Sequence, residues 1–266
     1  MKPDRLSQRI RKVLRRRQKL FCAFLTLGFP NLRTTERLIR EFDAMGVDII
    51  ELGFPFSDPL ADGPTIQASS EAALRRGVRL RDAFSLVKRL RADGVTIPIV
   101  FFGYLNPIFH YGEKKFLRDA QAAGFDGVLI PDLPIEEEAG FRQACQRRGF
   151  PMVFLVSPTT DRARAGRIGK LSRGFIYYVS VRGVTGARKT LSDEVERRSR
   201  ELRRVIRLPI LIGFGVSDPV QAAVLSRAAD GVIVGSAIIR ELQKGRAGCD
   251  RALRFVKNML DAVKRR

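Results

Sequence analysis

The stretch ELGFPFSDPLADGPTIQ, residues 51–67, is the part of the sequence on which the fold and the chemistry depend most. The residues Val47–Ile50 before it continue through Leu52 as an almost unbroken apolar run of strand length, and Glu51 lies inside this run, two residues before the glycine that ends it. A carboxylate among apolar residues is costly to bury. The loop that follows is too rich in proline to be regular, and it carries a second carboxylate, Asp62, above the same strand end.

Two structural explanations of this acidic pair remain open on the stretch alone. Glu51 fits one half of a buried ion pair, because structural networks also hold charges in apolar surroundings. Asp62 and the glycine after it fit an ordinary turn. The rest of the chain has to decide between these explanations and a catalytic pair.

The composition predicts a single α/β domain over residues 1–266 of a cytoplasmic protein. Hydrophobic residues make up 45% of the 266 residues, and no apolar stretch approaches the ~20 residues that span a membrane. The three cysteines, Cys22, Cys145 and Cys249, lie far apart and form no CxxC pair. We therefore expect reduced structural thiols, as in a cytosolic protein.

The scarcity of histidine restricts the chemistry. The chain contains one histidine, His110, and no tryptophan. A catalytic triad built on histidine and a metal site with several histidines are nearly excluded, and we expect no bound metal. Any acid–base catalysis then has to use carboxylates, tyrosine or lysine.

The chain is strongly basic. Its 49 lysines and arginines against 28 acidic residues give a formal net charge of +21. Such an excess is typical of proteins that bind nucleic acid. However, the basic residues are spread along the whole sequence, few aromatic residues lie among them, and no nucleic-acid-binding motif is present. The pattern favours a solvated basic surface over a dedicated nucleic-acid site.

The arginine-rich segment of residues 5–19 predicts a helix that covers one end of the domain. Apolar residues such as Leu6, Ile10 and Val13 fall at helical spacing, and a core strand follows directly. A transit peptide has a similar arginine content, but Asp4 and the absence of a cleavage-like gap argue against one.

Short apolar runs of strand length alternate with longer amphipathic stretches along the remaining chain. Near-continuous apolar strands are buried on both faces, which requires a parallel sheet whose strands are joined by helices. Eight strand–helix repeats in about 250 residues predict a (β/α)8 TIM barrel with an additional N-terminal helix, rather than a doubly wound sheet. The predicted strands are Phe21–Phe29, Val47–Gly53, Ile97–Leu105, Phe125–Leu133, Phe150–Pro158, Gly174–Val181, Leu208–Val216 and Asp230–Ile238.

The last two predicted strands carry a candidate phosphate site, at the place where barrels of this kind bind phosphate. The seventh strand ends in Gly213-Phe214-Gly215 and the eighth in Gly235-Ser236. Glycines let backbone amides approach a phosphate, the serine can donate its hydroxyl, and the helix-like segment after it offers its positive end. Either motif alone would only mark a strand end, but the two together predict an anion site.

Motifs along the whole chain resemble those of one known family, the alpha subunit of tryptophan synthase. They are ELGFPFSDPLADGPTIQ, TLGFP, YLNPIF, VLIPDLP, SVRGVTG, GFGVS and GSAI, of which the first is long and highly specific. The resemblance implies a cytoplasmic lyase of L-tryptophan biosynthesis. Such an enzyme cleaves indole-3-glycerol phosphate to indole and D-glyceraldehyde 3-phosphate by a retro-aldol reaction.

The resemblance also implies a partner. The lyase uses no cofactor of its own and passes indole to a beta subunit that binds pyridoxal phosphate (PLP), in an α2β2 heterotetramer. Two loops, residues 54–63 and about 182–191, are expected to cover the site. The residues that match positions facing the beta subunit are Asp58, Pro59, Asn106 and Thr185, although turn chemistry explains an asparagine before proline equally well.

The resemblance assigns roles to residues of the site. Glu51 corresponds to the general acid–base residue, Asp62 to the second catalytic carboxylate and Tyr177 to a tyrosine beside them. The buried strand should raise the pKa of Glu51 so that it can protonate the indole ring, while an ionised Asp62 stabilises the positive ring nitrogen. The expected phosphate site consists of Gly186, Phe214, Gly215, Gly235 and Ser236. The expected indole pocket consists of apolar strand ends, each of which alone would be simple barrel filling: Phe24, Tyr104, Leu129 and Leu155.

Three functions are therefore weighed. The first is the alpha half of a two-subunit tryptophan synthase. The second is the same lyase working alone and releasing free indole, which the sequence hardly separates from the first. The third is a non-catalytic basic barrel that binds nucleic acid, and the presence of Glu51, Asp62 and the phosphate glycines argues against it.

Overall fold

Strands and helices alternate through this computed structural model. It describes residues 4–137, 139–179, 188–213, 215–245 and 247–265, and for Ala139 and residues 188–193 it describes the backbone alone. Within these ranges no helix is both long and apolar enough to cross a membrane. The strands are β1 (Leu20–Thr26), β2 (Ile49–Gly53), β3 (Ile99–Phe102), β4 (Gly127–Leu129), β5 (Met152–Val156), β6 (Ile176–Val179), β7 (Ile210–Gly213) and β8 (Gly231–Val234). The helices are α1 (Arg5–Arg15), α2 (Leu32–Met45), α3 (Pro64–Arg75), α4 (Leu80–Ala92), α5 (Leu105–Tyr111), α6 (Glu113–Ala123), α7 (Ala139–Arg147), α8 (Arg162–Leu171), α9 (Arg188–Arg203), α10 (Pro219–Ala228), α11 (Ser236–Leu242) and α12 (Gly248–Lys264).

The strands form a closed barrel, in which every neighbouring pair is parallel and the spatial order follows the chain from β1 to β8. Their residues are buried almost throughout, as expected for strands with helices outside and packed side chains inside. The predicted (β/α)8 barrel with an additional N-terminal helix is confirmed. In this register Phe24 of β1 lies opposite Glu51 of β2, which lies opposite Val100 of β3.

The strands are shorter than the sequence predicted, because the apolar runs continue past the hydrogen-bonded ladder into buried connections. The predicted strand Ile97–Leu105 contains the shorter β3, and Leu105 instead begins α5. Pro107 is tolerated in the first turn of α5, where a backbone amide would have no partner within the helix. The predicted strand Asp230–Ile238 also ends early, and Ser236 begins α11.

Apolar side chains pack into two cores. The larger core lies between the strands and the surrounding helices. The smaller core fills the inside of the barrel with residues at alternate strand positions, such as Cys22 and Phe24 of β1. Ile49 of β2 belongs to this inner core. Glu51, two positions later, therefore also faces the inside of the barrel.

Helix α1 closes the N-terminal end of the barrel. Leu6, Ile10 and Val13 are buried and belong to the inner core. Gly174, just before β6, leaves room for α1, since a Cβ there would lie 2.7 Å from a methyl carbon of Leu6. The predicted N-terminal helix is thus present and covers one end of the barrel.

Three aspartates, each one residue before a strand, hold this same end together. Each carboxylate accepts a hydrogen bond from an amide of the preceding strand and contacts a lysine or an arginine. The groups are Asp48 with Phe21 and Lys264, Asp126 with Ile99 and Arg91, and Asp230 with Ile210 and Arg203. Paired carboxylates of this kind strengthen the N-terminal end, and the carboxyl ends of the strands are left for chemistry.

Candidate active site

A cavity of about 190 Å³ opens at the carboxyl ends of the strands. Its lining combines apolar side chains with a few polar groups, which is the usual composition of a small-molecule site. The apolar part includes Phe24, Ile66, Phe102 and Ile233, and the polar part includes Asp62, Tyr177, Ser217, Ser236 and Arg240. No group of three or more histidine, cysteine or acidic side chains that could hold a metal ion occurs in the described ranges.

Glu51 lies inside the barrel next to this cavity. It is 1% exposed, and among the described residues neither carboxylate oxygen has a hydrogen-bond partner. Burial raises the pKa of Glu51 to about 8, so the carboxyl group keeps its proton at neutral pH. Burial and, after it, the charge of Glu51 raise the pKa values of Cys22 and Tyr177, which indicates that the carboxyl group is close to both side chains.

The sequence left open that Glu51 belongs to a buried ion pair. The residues that the structure describes do not support this explanation. A buried ion pair needs a cation within about 4 Å, and the salt bridges between described residues do not include Glu51. The carboxyl group is instead held neutral by its apolar surroundings. A neutral acid in an apolar site is available as a proton donor.

Asp62 borders the cavity from the loop between β2 and α3. Its carboxylate accepts a hydrogen bond from the hydroxyl of Tyr104 at 3.1 Å, and this hydroxyl accepts one from the amide of Ala61 at 3.0 Å. The side chain of Gln67 donates to the carbonyl of Asp62 at 3.0 Å. Burial raises the pKa of Asp62 to about 6, although the hydrogen bond from Tyr104 acts in the opposite direction. At pH 7 Asp62 is therefore mostly ionised, while Glu51 is mostly protonated.

Tyr177 of β6 is influenced by both carboxyl groups. Its pKa is raised first by burial and then by the charges of Glu51 and, more weakly, Asp62. Gly213 on the neighbouring strand β7 makes room for the ring, since a Cβ at this position would lie 2.2 Å from the hydroxyl oxygen of Tyr177. The glycine that the sequence placed at the end of a strand thus has a steric function in the site.

The segments after β7 and β8 give the cavity an anion-binding character. Gly215 has a φ of 80°, a backbone conformation that glycine adopts without strain. Ser217 and Ser236 bring hydroxyl groups to the lining, and Arg240 follows Ser236 by about one helical turn on α11. Among the described lining residues, Arg240 is the one cation.

The cavity brings together many of the residues that the sequence predicted for the site. Those in its lining are Phe24, Asp62, Tyr177, Gly215, Gly235 and Ser236. Glu51 adjoins them inside the barrel. Three of the positions predicted for the partner interface lie at the same end, with Asp58 and Asn106 exposed and Pro59 half-buried. Thr185, Gly186 and Phe214 lie outside the described residues.

Three residues predicted for the indole pocket do not line the cavity. Tyr104 follows β3 and directs its hydroxyl to Asp62 and Ala61. Leu129 is fully buried in the inner core, and Leu155 borders a separate depression. The sequence assigned them by their positions at strand ends, which does not say how far a cavity extends across a barrel.

Sequence reasoning missed four lining residues: Ile66, Phe102, Ile233 and Arg240. Phe102 lies two positions before Tyr104, and Ile233 two before Gly235, so strand alternation was the signal that could have found them. Ile66 and Arg240 belong to helices that reach the cavity only when the barrel has closed. Their local sequence contains no signal of this contact.

Comparison with known proteins decides the family. A sequence model of the family described as tryptophan synthase alpha chain matches residues 10–264. The chain belongs to this family. Among its curated relatives, the tryptophan synthase alpha chain of Geotalea uraniireducens is 47% identical over 243 residues, which cover 91% of each chain. That of Picosynechococcus sp. is 45% identical over 260 residues, which cover 97% of each chain.

Solved tryptophan synthase structures share the fold. The alpha subunit from Legionella pneumophila has a TM-score of 0.89 and 33% identity, covering 97% of this chain and 98% of that one. A chain of the aminoacrylate-bound tryptophan synthase from M. tuberculosis has a TM-score of 0.86 and 32% identity, covering 98% and 99%. The predicted identification as a tryptophan synthase alpha subunit is confirmed. Neither the stand-alone lyase nor the non-catalytic barrel is favoured.

Replacing Glu51 with glutamine should stabilise the alpha subunit at alkaline pH. The pKa of Glu51 is about 8 in the folded state against an ordinary value of 4.5, so between these pH values the folded state binds more protons than the unfolded state. The stability of the parent chain therefore falls as the pH rises through this window, whereas glutamine has no charge to bury. We expect Glu51→Gln to gain about 2–4 kcal/mol in free energy of unfolding at pH 8, and close to nothing at pH 4.5.

Urea denaturation of both chains between pH 5 and pH 8 measures this difference. Glu137→Gln, at an exposed turn position, is the matched control and should follow the parent chain at every pH. If Glu51→Gln has the same stability advantage at pH 5 and at pH 8, Glu51 is not a buried neutral carboxyl group.

Proposed function

We propose that the chain catalyses the cleavage of indole-3-glycerol phosphate to indole and D-glyceraldehyde 3-phosphate. The observation that carries the proposal is the pair of carboxyl groups around Tyr177, with Glu51 buried and protonated and Asp62 ionised at the cavity. One group can give a proton and the other can stabilise a positive charge. Breaking a carbon bond to an indole ring requires both.

The lining suits the two ends of this substrate. Phe24 and Phe102 meet edge to face, with ring centroids 5.3 Å apart, and together with Ile233 they offer an apolar wall for the indole ring. Gly235 and Ser236 offer amide and hydroxyl donors for the phosphate. Gly186 and Phe214 remain predicted members of this phosphate site.

Glu51 acts first as an acid and then as a base. It donates its proton to C3 of the indole ring, which turns the ring into an electron sink. The resulting carboxylate then takes the proton of the hydroxyl on the adjacent chain carbon. As that C–O bond becomes the aldehyde of glyceraldehyde 3-phosphate, the C–C bond breaks and its electrons return to the ring as indole. Glu51 ends the cycle protonated, as it began.

Asp62 stabilises the intermediate of this reaction. Protonation at C3 places positive charge on the ring nitrogen, and the ionised carboxylate can accept the N–H hydrogen bond and offset this charge. The hydrogen bond from Tyr104 orients the carboxylate before substrate arrives. Tyr177 keeps its phenolic proton because its pKa is raised, so it can donate a hydrogen bond beside the reacting atoms.

A surface at the cavity end supports docking of a beta subunit. Leu60, on the loop that carries Asp62, is 93% exposed, and Phe109 on α5 is 68% exposed. The two segments are joined, because the rings of Phe56 and Tyr104 lie 5.2 Å apart. Large apolar side chains that are exposed at one end of a protein are typical of protein interfaces. The exposed Asp58 and Asn106 add polar contacts to this surface.

In the proposed assembly, indole passes from this cavity to a beta subunit that carries PLP, and two chains of each kind form the α2β2 heterotetramer. Because Leu60 and Asp62 share one loop, docking at the surface acts directly on the catalytic carboxylate. The alpha subunit itself needs no cofactor for the steps described, since Glu51 and Asp62 supply the proton and the counter-charge.

Indole release from indole-3-glycerol phosphate by the purified chain, with and without a tryptophan synthase beta subunit, tests this function. We expect slow release that rises at least about tenfold and saturates as the beta subunit is added, because docking orders the catalytic loop. The Glu51→Gln variant should release no indole, although it should still bind the substrate. Leu60→Asp should weaken the response to the beta subunit, whereas Val220→Asp, an equally drastic change at another exposed site, should not.

The outcomes separate the candidates. Release that does not change when the beta subunit is added would identify a stand-alone lyase. Absence of release in both cases, or an active Glu51→Gln variant, would overturn the proposed chemistry.

The pH profile of kcat/KM should be bell-shaped. Ionisation of Asp62, with a pKa of about 6, raises kcat/KM on the acid side, and loss of the proton from Glu51, with a pKa of about 8, lowers it on the alkaline side. Asp62→Asn should lower the rate at least about 100-fold and should remove the acid limb alone. A variant that retains both limbs would show that Asp62 is not the group that titrates near pH 6.

Arg240 should hold the phosphate of the substrate from α11. It is the one cation in the described lining, and a phosphate at Ser236 would lie one helical turn away. We expect Arg240→Gln to raise KM about 5- to 10-fold with kcat almost unchanged, and Arg240→Lys to recover most of the loss. Arg251→Gln, at an exposed position of α12, is the control. An unchanged KM in the Arg240→Gln variant would show that Arg240 does not bind the phosphate.

A further inference from the structure

The excess positive charge of the chain is spread along the sequence, but the fold gathers a part of it at one end of the barrel. The helices that follow the strands run back towards the N-terminal end, so their last turns meet there. Basic residues occupy many of these last turns, including Arg147 of α7, Lys170 of α8, Arg227 of α10 and Lys264 of α12. This end lies opposite the catalytic cavity.

Helix α1 adds a second set of cations to this end. Its apolar residues face into the barrel, so its basic residues must face outwards. Arg11, Lys12, Arg15 and Arg16 are exposed and line one shallow groove together with Gln8. Its described lining contains no carboxylate.

A second groove lies between the turn after α1 and the helices α10 and α12. Its charged residues are Arg17, Lys19, Arg227, Lys264 and Arg265, again with no carboxylate among the lining residues that the structure describes. The amines of Lys19 and Lys264 are already used, since they donate to the carbonyls of Ala229 and Lys19 at 2.6 and 2.7 Å. The three arginines of this groove are exposed.

We define the basic face by the arginines and the lysine of the two grooves that have no carboxylate partner. These seven residues are Arg11, Lys12, Arg15, Arg16, Arg17, Arg227 and Arg265. None of them takes part in a salt bridge with another described residue, whereas Arg5, Arg9 and Arg91 at the same end contact buried aspartates. The fold thus neutralises the cations that it needs for stability and leaves the basic face uncompensated.

Helix dipoles account for only a part of this charge. Cations in the last turn of a helix are favourable, which covers Lys12 and Arg15 of α1 and Arg227 of α10. Arg11 lies before that turn, and Arg17 lies beyond the end of α1. Like charges this close repel each other, so the arrangement is unfavourable until an anion covers it.

We propose that the basic face binds the phosphate backbone of double-stranded nucleic acid, independently of the catalytic cavity. Five of the seven cations lie on the 11-residue helix α1, about 16 Å long, or directly after it, and this spacing matches a ligand that carries a negative charge every few ångströms. Four of the five positions on or directly after α1 are arginines, and a guanidinium group can bind two phosphate oxygens at once. The binding does not depend on base sequence, because the cations of these shallow grooves contact phosphates and no aromatic side chain lines either groove among the described residues.

The chemistry of the face distinguishes this ligand from an anionic membrane. A helix that lies on a membrane inserts its apolar side chains between the lipids. The apolar residues of α1, Leu6, Ile10 and Val13, are instead buried inside the barrel. A rigid polyanion needs no such insertion, so a duplex backbone is the better match.

Binding of a fluorescently labelled duplex DNA of mixed sequence to the full chain, measured by anisotropy between about 50 and 200 mM salt, tests the proposal. We expect log K to fall with log salt with a slope of about −4 to −6, as for five to seven phosphate contacts. The fourfold variant Arg11→Gln, Lys12→Gln, Arg15→Gln, Arg16→Gln should lose about three to four units of this slope and bind at least about 30-fold more weakly at 100 mM salt.

A control with the same net charge separates the face from the charge of the whole chain. The fourfold variant Arg81→Gln, Lys88→Gln, Arg254→Gln, Lys257→Gln removes four exposed cations from α4 and α12. It should bind DNA almost as the parent chain does. Equal losses in the two variants would mean that net charge alone attracts DNA, and would overturn the proposal.

Two further outcomes would also overturn it: absence of DNA binding by the parent chain at 100 mM salt, or stronger binding to vesicles with anionic lipid than to the duplex. Indole release and thermal unfolding of the α1 variant show whether it is folded. If it is not folded, the pair Arg11→Gln and Arg16→Gln replaces it, with an expected loss of about two units of slope. Because the catalytic cavity lies at the other end, loss of DNA binding leaves the lyase measurement unaffected.

Discussion

The burial of one carboxyl group inside the barrel is the constraint on which the site depends. Glu51 is almost fully buried and, among the described residues, without a hydrogen-bond partner for its carboxylate oxygens. Such a group is tolerated only as the neutral acid, and this requirement is what makes it a proton donor near neutral pH. Its neighbours fit around it, with Phe24 opposite on β1 and the ring of Tyr177 lying where Gly213 leaves space. The catalytic acid of the alpha subunit thus results from the energetically unfavourable burial of the Glu51 carboxyl group.

The barrel separates this unfavourable placement from the groups that stabilise the fold. At the N-terminal end, Asp48 and Asp126 are also buried, but each accepts backbone hydrogen bonds and contacts a cation. At the carboxyl end, Glu51 has none of these partners within the described ranges, and Asp62 has the hydroxyl of Tyr104. Enzymes commonly lose stability at the site in exchange for reactivity, and here strong pairing at the opposite end offsets the loss. The same N-terminal end, opposite the site, also carries the cations on the outside of α1 that have no carboxylate partner among the described residues.

Much of the fold and a part of the site could be predicted because the relevant signals are local. An acid inside an apolar strand marked Glu51, and eight apolar runs marked the barrel, whose geometry then located the site at the strand ends. The hydrogen bond of Tyr104 to Asp62 was not foreseen, because strand position alone does not say that its hydroxyl turns towards a neighbouring loop. Arg240 was missed because its contact with the cavity depends on where α11 lies after the barrel closes. Strand lengths were overestimated since apolar character continues into buried connections, where no ladder forms.

The sequence by itself determined which segments form strands and which form helices, through the spacing of their apolar residues. It also determined the order of the strands and the presence of two carboxylates near one strand end. All of these follow from residues close together in the chain. The tertiary structure decided which side chains share the cavity and that basic residues scattered along the chain converge at one end. It also decided that Asp126 has several partners while Glu51 has none among the described residues. These properties depend on burial and on distances between residues far apart in sequence. Charge and proton affinity are set by such surroundings, so they became definite only when the barrel closed.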